Sequence, residues 1–391
     1  MGCQTLYEAF ECQATENSTA AGQAVGGGFG AFSLDDVDEA FALKDDKSGR
    51  RHGMRPLKYQ ERLVVKGLDL TITPLNAGRC LGGAIWNLKW QTDEILYSCD
   101  MNPLGELHLN KAQLADVKSK PALLITDATN WGRSLGASSA RLRELKGLVL
   151  STLGRGGSCL LPTDASGRCL ELLLLLDKLW QEEPGLAKRG CRLVLCHAMA
   201  QNVVRLSRSM SEWMSSSVSD AFDALKGDHP FELRNVEVAH SIGELRPDLA
   251  RRPAVILATH GSLECGPARD LLPLVASSKL HRVIFTQRAP PGTQAAKLQR
   301  HTQRPFNLNL PVHVKQALEG KELEDWERAA AAARAEQSEV DDRQRFVDEI
   351  KGFTASAASA VAGASPAAPG SALEPAPESA LEPAPEAKSE G

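Results

Sequence analysis

Residues 159–196, CLLPTDASGRCLELLLLLDKLWQEEPGLAKRGCRLVLC, decide the fold class. The apolar runs at its two ends, Cys159–Leu161 and Arg192–Cys196, predict buried strands. Between them, Gly167–Gln181 predicts a helix whose buried side carries Leu170, Leu173, Leu174 and Trp180. A strand, a helix and a strand in succession are typical of a parallel sheet flanked by helices, so the sequence predicts an α/β fold.

The same alternation continues downstream. Val255–Ala258 and Val283–Thr286 predict two more buried strands, with a helix near Pro267–Ala276 between them. Apolar residues also recur at helical spacing from Met199 to Leu225, which predicts one amphipathic helix of about seven turns.

The first part of the chain reads as strand-rich. Alternating apolar residues predict a half-buried strand through Leu68, Leu70 and Ile72. Further strands are predicted at three apolar runs, Glu94–Cys99, Ala122–Thr126 and Leu148–Thr152. A short helix is predicted after Ser33, its N-cap, because acidic residues follow in the first turns.

Charge and composition separate a body from a tail. The formal net charge is −4. The residues from Glu319 onward contribute 7 basic and 16 acidic side chains, and residues 1–318 contribute 38 basic and 33 acidic ones. Residues 319–351 predict a long charged helix. The octapeptide SALEPAPE occurs twice in residues 371–386, and this Ala, Pro, Ser and Glu tail predicts disorder.

Cysteine usage and hydropathy favour a reducing compartment. The nine cysteines include no CxxC pair, so we expect free thiols in an intracellular protein. No secretory signal pattern opens the chain. The longest apolar run, Leu172–Leu176, is far too short to span a bilayer, which predicts no membrane association.

Motif searches find little catalytic chemistry. The nine histidines include no HxH, HxxxH or HExxH pattern, and no GxSxG nucleophile elbow is present. Gly154–Gly157, GRGG, lacks the ending of a phosphate-binding loop and predicts a hairpin turn. Asp100 and Asp127 each follow an apolar run expected to be a buried strand, where α/β proteins place their sites. Each is either a metal ligand, or its remnant, or an Asp that caps a turn.

Several segments together carry a family resemblance. Residues 67–88, 94–102 and 121–129 resemble the later half of a metallo-β-lactamase domain of RNA-processing nucleases. Residues 163–180 resemble the β-CASP domain that is inserted in that fold. More specific matches fall in the right order, at FSLDDVDEAF (32–41), SEWMSSSV (211–218), SLECGPARDLL (262–272) and RAPPGTQA (288–295). They resemble the branch of this family found in the cleavage and polyadenylation specificity factor, the generally inactive partner of its endonuclease subunit.

Departures from the family pattern lie at its metal ligands. Active members carry an HxHxDH motif, and this chain begins after that point, which predicts an N-terminally truncated fold with uncovered sheet surface. The family's AGH tripeptide reads Ala77-Gly78-Arg79 here, and a guanidinium has no lone pair for zinc. The resemblance places the bridging aspartate at Asp100 and a further acid at Asp127. The general-acid histidine falls near Lys297, where there is no imidazole.

The resemblance also divides the chain. It predicts an irregular N-terminal segment at 1–30, a partial metallo-β-lactamase-like region at 31–135, and a β-CASP domain with its return segment at 136–312. A charged helix at 313–352 and a disordered tail at 353–391 follow. The vestigial site positions are Arg79, Asp100 and Asp127, and no metal or other cofactor is expected.

The implied function is non-catalytic. We expect a nuclear subunit of the complex that processes pre-mRNA 3′ ends, with the endonuclease subunit and a symplekin-type scaffold as partners and pre-mRNA bound directly or through the complex. An alternative is an active zinc-dependent β-CASP RNA nuclease with a non-standard site. A third is a direct RNA-binding module, although three Tyr and ten Phe give few stacking platforms.

Overall fold

The computed structural model describes residues 5–10, 12, 32–41, 55–117, 120–128, 131–132, 136–165, 167–224, 230–249, 251–301, 307–310, 319–321, 323–332, 334–335, 338 and 343. The chain divides into two compact units, Met1–Glu319 and Gly320–Gly391. In the second unit, residues 321, 323–332, 334–335, 338 and 343 are helical, as the predicted charged helix requires. The remainder of that helix and the predicted tail lie outside the described residues.

The first sheet has five strands in sequence order. They are β1 (Leu63–Val65), β2 (Leu70–Asn76), β3 (Ala84–Trp90), β4 (Asp93–Ser98) and β5 (Leu123–Thr126). The strands β1 to β4 are antiparallel neighbours, whereas β5 runs parallel to β4. The strand predicted through Leu68, Leu70 and Ile72 forms as β2, but it begins at Leu70. Leu68 lies in the preceding turn, where Gly67 and Asp69 have positive φ.

The second sheet is wholly parallel, which confirms the predicted α/β fold. Its strands lie in the order β10-β6-β9-β7-β8. Their bounds are β6 (Cys159–Pro162), β7 (Arg192–Cys196), β8 (Val236–Ala239), β9 (Ala254–Ala258) and β10 (Arg282–Val283). The strand predicted at Val283–Thr286 is shorter than expected, since β10 begins one residue earlier, at Arg282, and ends at Val283.

Nine helices between Leu34 and Arg300 accompany these strands in the described part of unit 1. They are α1 (Leu34–Phe41), α2 (Ser138–Gly154), α3 (Arg168–Glu182), α4 (Pro184–Lys188), α5 (Ala200–Ser209), α6 (Ser216–Ala224), α7 (Ile242–Leu249), α8 (Gly266–Ala276) and α9 (Gln294–Arg300). The predicted cap of α1 is confirmed, because the Ser33 hydroxyl accepts from the Asp36 amide at 3.1 Å while the Asp36 carboxylate accepts from the Ser33 amide.

Two apolar cores cover the two faces of the second sheet. Alternate strand residues, such as Leu193, Leu195, Val255 and Leu257, point into a core built with α2, α3 and α5. The intervening residues, such as Leu160, Val194 and Ile256, point into a core built with α8 and α9. Burial on both faces explains why these strands are continuous apolar runs instead of alternating ones.

Two strand predictions in the middle of the chain are wrong. Residues 148–152 form the end of α2, because Val149, Thr152 and Leu153 bury one helical stripe against β6. Gly154–Gly157 consequently joins a helix to a strand and is not a hairpin turn. The strand at β5 exists, but its four residues are exposed and not buried, because it is the last strand of its sheet.

The long helix predicted from Met199 to Leu225 is broken. Helix α5 ends at Ser209, a short 3₁₀ turn follows at Ser211–Trp213, and α6 begins at Ser216. The interruption has a local cause, since the Ser215 amide and hydroxyl are both bound to a loop of the first sheet region and not to the helix. The end of the predicted helix at Leu225 lies outside the described residues.

Candidate functional site

The three predicted site positions are brought together at one edge of the first sheet. Because β4 and β5 are parallel, Asp100 and Asp127 follow the same ends of neighbouring strands. Arg79 follows Gly78, which turns the chain with a φ of +69°. A Cβ at Gly78 would lie 2.8 Å from the Asn102 and Asn110 carbonyl oxygens, so only glycine fits the turn that presents Arg79.

An open ion pair occupies this edge. The Arg79 Nε lies 3.1 Å from Asp100 Oδ1, and the two side chains are 47% and 74% exposed. The Asp100 amide donates to Asp127 Oδ2 at 2.7 Å. Exposed pairs of this kind contribute at most about 1 kcal/mol, so this ion pair adds little to the stability of the fold.

This donor set does not fit zinc. Arg79 directs a cation at one carboxylate, and Asp127 accepts a backbone amide with one oxygen. A zinc ion needs several lone-pair donors converging on one point, and a guanidinium offers none. Within the described residues, three potential ligand atoms come within 4.8 Å of one another only at a different place, Glu106, His108 and Glu171.

A cleft of about 350 Å³ adjoins the ion pair, where the two sheets meet. The second sheet contributes residues that follow its strands, Asp164 after β6 and His260 after β9, as expected of sites in parallel sheets. Residues 5–10 and 12 are helical, where the sequence predicted an irregular segment, and residues 5, 8 and 9 of this N-terminal helical segment close one side of the cleft. Its charged side chains have both signs, with cationic Arg79 and Arg168 and acidic Glu8, Asp100, Glu106 and Asp164.

Beside the cleft, a buried tie connects the region of the first sheet to helix α3. The Glu171 carboxylate accepts from the Leu107 amide at 2.9 Å, from the His108 amide at 3.2 Å and pairs with His108 Nδ1 at 2.7 Å. Arg168, one turn earlier on α3, lies 2.6 Å from Glu106. Burial opposes ionisation of Glu171, but the bonds from His108 and Leu107 outweigh it and hold the pKa of Glu171 below its usual value.

Ser215, in the part of the chain that contains the second sheet, binds the loop at Leu107 and His108 from its other side. The Ser215 hydroxyl donates to the Leu107 carbonyl at 2.6 Å, and the Ser215 amide donates to the His108 carbonyl at 2.9 Å. Leu109, the next residue, is buried in the core that covers the second sheet. The loop is therefore held through backbone groups and side chains alike, which fixes one wall of the cleft.

The tie contains three side chains that could ligate a metal. The contacts that they make in the structure account for the two carboxylates without a metal, since Arg168 pairs with Glu106 and the Glu171 oxygens accept from backbone amides. His108 Nδ1 faces Glu171 at hydrogen-bond distance, and Nε2 is buried with no hydrogen-bond partner. We interpret the cluster as a hydrogen-bonded tie.

A second buried pair joins the N-terminal helical segment to β7. Glu8 Oε1 lies 3.4 Å from His197 Nε2, and both residues are almost fully buried. His197 Nδ1 accepts from the Met199 amide at 2.7 Å, so the neutral ring carries its proton on Nε2, toward Glu8. Burial raises the pKa of Glu8 to about 7, and burial with the nearby His240 lowers the pKa of His197 to about 4.

Lys297 and two histidines, His240 and His260, make contacts of their own and none with the ion pair is seen among the described residues. Lys297 is on α9, where its Nζ lies 3.2 Å from the Gln294 side-chain oxygen. His240 contacts the Ala198 carbonyl. His260 lines the cleft with its Nδ1 near the Ser262 hydroxyl. Sequence reasoning missed Glu106, His108 and Glu171, because the last is 63 residues away from His108 and no local spacing marks the pair.

Two family profiles match the chain. The metallo-beta-lactamase superfamily domain matches residues 1–130, and the Beta-Casp domain matches residues 169–298. The chain belongs to the metallo-β-lactamase/β-CASP family. The first sheet lies in the lactamase match, and most of the second sheet lies in the β-CASP match, so the cleft falls between the family's two parts.

Relatives of this family member carry names from mRNA 3′-end processing, as the sequence predicted. The probable cleavage and polyadenylation specificity factor subunit 2 of Drosophila melanogaster is 36% identical over 306 residues, 77% of this chain and 38% of the fly protein. The Caenorhabditis elegans protein of that name is 33% identical, over 80% of this chain and 37% of its own length. The endoribonuclease YSH1 of Yarrowia lipolytica is 27% identical, over 68% and 31%. The chain thus spans well under half of each relative.

None of the described helices is both long and apolar enough to cross a bilayer.

Proposed function

We propose that the chain is a non-catalytic nuclear subunit of the machinery that cleaves and polyadenylates pre-mRNA. The observation that carries this proposal is the Arg79–Asp100 ion pair, 3.1 Å long, at positions that the family resemblance assigns to metal ligands. Arg79, Asp100 and Asp127 are then vestiges of a hydrolytic site, because their mutual contacts consume the groups that a metal would need.

The proposed role is to bind partners. The chain pairs with the endonuclease subunit of the cleavage and polyadenylation specificity factor and with a symplekin-type scaffold, and it meets pre-mRNA directly or through that complex. The names of the fly and nematode relatives support this assignment. The mixed charge of the cleft favours a protein partner over RNA there, since Asp100, Glu106 and Asp164 oppose phosphate binding.

An affinity pull-down tests the partner role. The tagged full chain is incubated with nuclear extract of its own organism, and the bound proteins are identified by mass spectrometry. We expect recovery of the endonuclease subunit. A matched variant, Leu280→Glu, alters an exposed side chain on the β-CASP part and should recover the same partner, which controls for the tag and for handling. Absence of both the endonuclease and the scaffold from the bound fraction would overturn the proposal.

The alternative function is a zinc-dependent β-CASP RNA nuclease. The specific observations in its favour are the cluster of Glu106, His108 and Glu171 and the name endoribonuclease of the Yarrowia relative. Incubation of the purified chain with a labelled RNA and added zinc distinguishes the two. Cleavage that is lost in His108→Asn but retained in Arg79→Lys would favour the nuclease, and uncleaved RNA would favour the scaffold.

A further inference from the structure

The two ends of the second sheet differ in charge. Because all five strands are parallel, their carboxyl ends lie at the cleft, where Asp164 follows β6 and His260 follows β9. Their amino ends lie at the opposite end of the sheet. The register aligns these amino ends in one row of partners, namely Arg282, Cys159, Val255, Leu193 and Val236. The loops that lead into the five strands therefore lie side by side.

Positive side chains accumulate at this amino end. Four neighbouring strands, β10, β6, β9 and β7, are each preceded by cations, or begin with one, that make no ion pair with a described residue. We name these cations the basic row, which consists of Lys279 and Arg282 at β10, Arg155 before β6, Arg251 and Arg252 before β9, and Lys188 and Arg189 before β7. Six of the seven are exposed, and Arg282 is half-buried.

Most acidic side chains near the basic row are already neutralised by other cations. The ion pairs join Glu237 to Arg192 at 2.6 Å, Glu232 to Arg234 at 3.0 Å, and Glu182 to Lys146 at 2.5 Å. Among the described residues of these loops, Glu183 is the exposed acid that has no such pair. The basic row therefore presents seven positive charges to water beside one uncompensated negative charge.

Two arginines of the basic row are oriented by their own helices. Arg155 Nε donates to the Ser151 carbonyl at 3.1 Å, and Arg189 Nε donates to the Gly185 carbonyl at 3.2 Å. Cations at the C-terminal end of a helix are stabilising, which accounts for these two contacts. Each contact uses one of the five guanidinium donors, and the terminal nitrogens have no protein acceptor among the described residues. Those donors are available to a ligand.

The composition of this surface favours a phosphate backbone over a protein partner. A stable protein interface has an apolar centre with aromatic anchors, but the described loops expose one large apolar side chain, Leu280, and no Phe, Tyr or Trp. Arginine and lysine are the residues that contact phosphates in nucleic acids, and five of the seven cations are arginines. Without aromatic side chains to stack on bases, such a contact has no sequence preference.

The length of the basic row sets the number of phosphates that it can contact. Neighbouring strands lie about 4.8 Å apart, so four strands span about 14 Å. A helical nucleic-acid strand advances about 3.4 Å per phosphate, so about four consecutive phosphates match this span.

We propose that the basic row binds the phosphate backbone of RNA, at the end of the second sheet opposite the cleft. The cations before the four strands contact successive phosphates, and the bases are not read. This inference rests on the proposed function for the identity of the polyanion, and it adds to that function a place where the chain contacts RNA directly.

Fluorescence anisotropy of a labelled oligouridine of about 20 nucleotides, titrated with the full chain, tests the proposal. With about four phosphates neutralised, the logarithm of the affinity should fall against the logarithm of the salt concentration with a slope of about −3. Binding should thus weaken about 50-fold between about 50 and about 200 mM salt. Arg251→Ala with Arg252→Ala should make the slope less steep by about 1.4, since two contacts are lost.

A matched pair of charge reversals separates a local contact from general attraction. Arg251→Glu with Arg252→Glu should weaken binding at least about 10-fold at about 50 mM salt. Arg141→Glu with Arg143→Glu makes the same change in net charge at two exposed positions near the start of α2, about 17 Å along the helix from Gly154, and should weaken binding far less. Equal weakening by both reversals would overturn the proposal, as would binding that does not depend on salt. Circular dichroism confirms that each variant is folded.

A pull-down from nuclear extract treated with ribonuclease separates this inference from the proposed function. The Arg251→Glu with Arg252→Glu variant should still recover the endonuclease subunit, because that contact needs no RNA. A wild-type chain that recovers this subunit but does not bind the oligouridine would overturn the inference alone. A chain that binds the oligouridine but recovers neither protein partner would overturn the proposed function alone. If the variant binds the oligouridine normally and loses a protein partner, the basic row is a protein site and the inference is wrong.

Discussion

The second sheet is covered on both faces, and all residues of β6 and β9 are buried, whereas β5 of the first sheet is exposed throughout. The two large apolar cores both belong to the second sheet, and the first sheet has one core of five buried residues. Free energy of folding scales with apolar area removed from water, so it is concentrated in the β-CASP part. The lactamase part depends for its order on contacts that reach it from outside its own sheet.

The largest expected effect contrasts the two sheets directly. Ile256→Ala, in the centre of β9, should lower the free energy of unfolding by about 2–5 kcal/mol, because the side chain is completely buried. Leu123→Ala, in β5, should lower it by less than about 0.5 kcal/mol. Urea unfolding of the full chain, followed by circular dichroism, measures both. Similar losses for the two variants would show that the comparison is mistaken.

The tie between the two parts gives the next effect. Glu171→Ala should cost about 3 kcal/mol, because three buried donors on Leu107 and His108 lose their acceptor. Since the pKa of Glu171 is depressed on folding, its contribution is full above the unfolded value of 4.5 and is lost as the pH falls below it.

The matched control for this tie lies on the same helix. Glu182→Ala removes an acidic group that is 43% exposed and pairs with Lys146, and it should lower the free energy of unfolding far less than Glu171→Ala does. Limited proteolysis should cut near residue 107 faster in the Glu171 variant alone. If both variants unfold at the same urea concentration, the tie does not hold the parts together.

The smallest effect concerns pH and the N-terminal helical segment. The pKa of Glu8 rises from 4.5 to about 7 on folding, so its stabilising protonated form is complete at pH 4.5 and is lost as the pH rises through 7. The shift corresponds to at most about 3 kcal/mol. The pKa of His197 falls from 6.5 to about 4, so its contribution is present above 6.5 and is lost toward pH 4. The stability of the folded chain is therefore reduced by Glu8 at high pH and by His197 at low pH.

Glu8→Gln should remove the loss of stability on the alkaline side. Its melting temperature relative to the wild type should rise between pH 5 and pH 7 and level off above that, since Gln stays neutral where Glu8 must ionise. Glu183→Gln, at an exposed position, is the matched control for the loss of one acidic side chain. A wild-type and a Glu8→Gln curve that run parallel over this range would contradict the assigned burial of Glu8.

The contrast between the sheets also explains which predictions from sequence are correct. Strand β7 matches its predicted bounds, because a fully buried parallel strand is a short continuous apolar run. The same signature misled at Leu148–Thr152, since a helix buried on one side can also present five apolar or small residues in succession. Exposure of β5 depends on its place at the end of the sheet, which the residues of the strand do not encode.

The site divides in the same way. Arg79, Asp100 and Asp127 could be predicted as site positions because each has a fixed place in a family motif or at the end of an apolar run, and the structure places them in contact with one another. The tie through Glu171 was not, because its partners meet only after the two parts have folded together. The break at Ser215 has the same origin, since that residue is bound to the Leu107 loop, 108 residues earlier.

Under the proposed function, the ion pair of Arg79 with Asp100 takes the place of a metal centre. The most direct measurement is the zinc content of the purified full chain after equilibration with zinc and removal of free ions, by inductively coupled plasma mass spectrometry. We expect far less than one zinc ion per chain. A content of about two zinc ions per chain, as in two-metal hydrolytic sites, would contradict it.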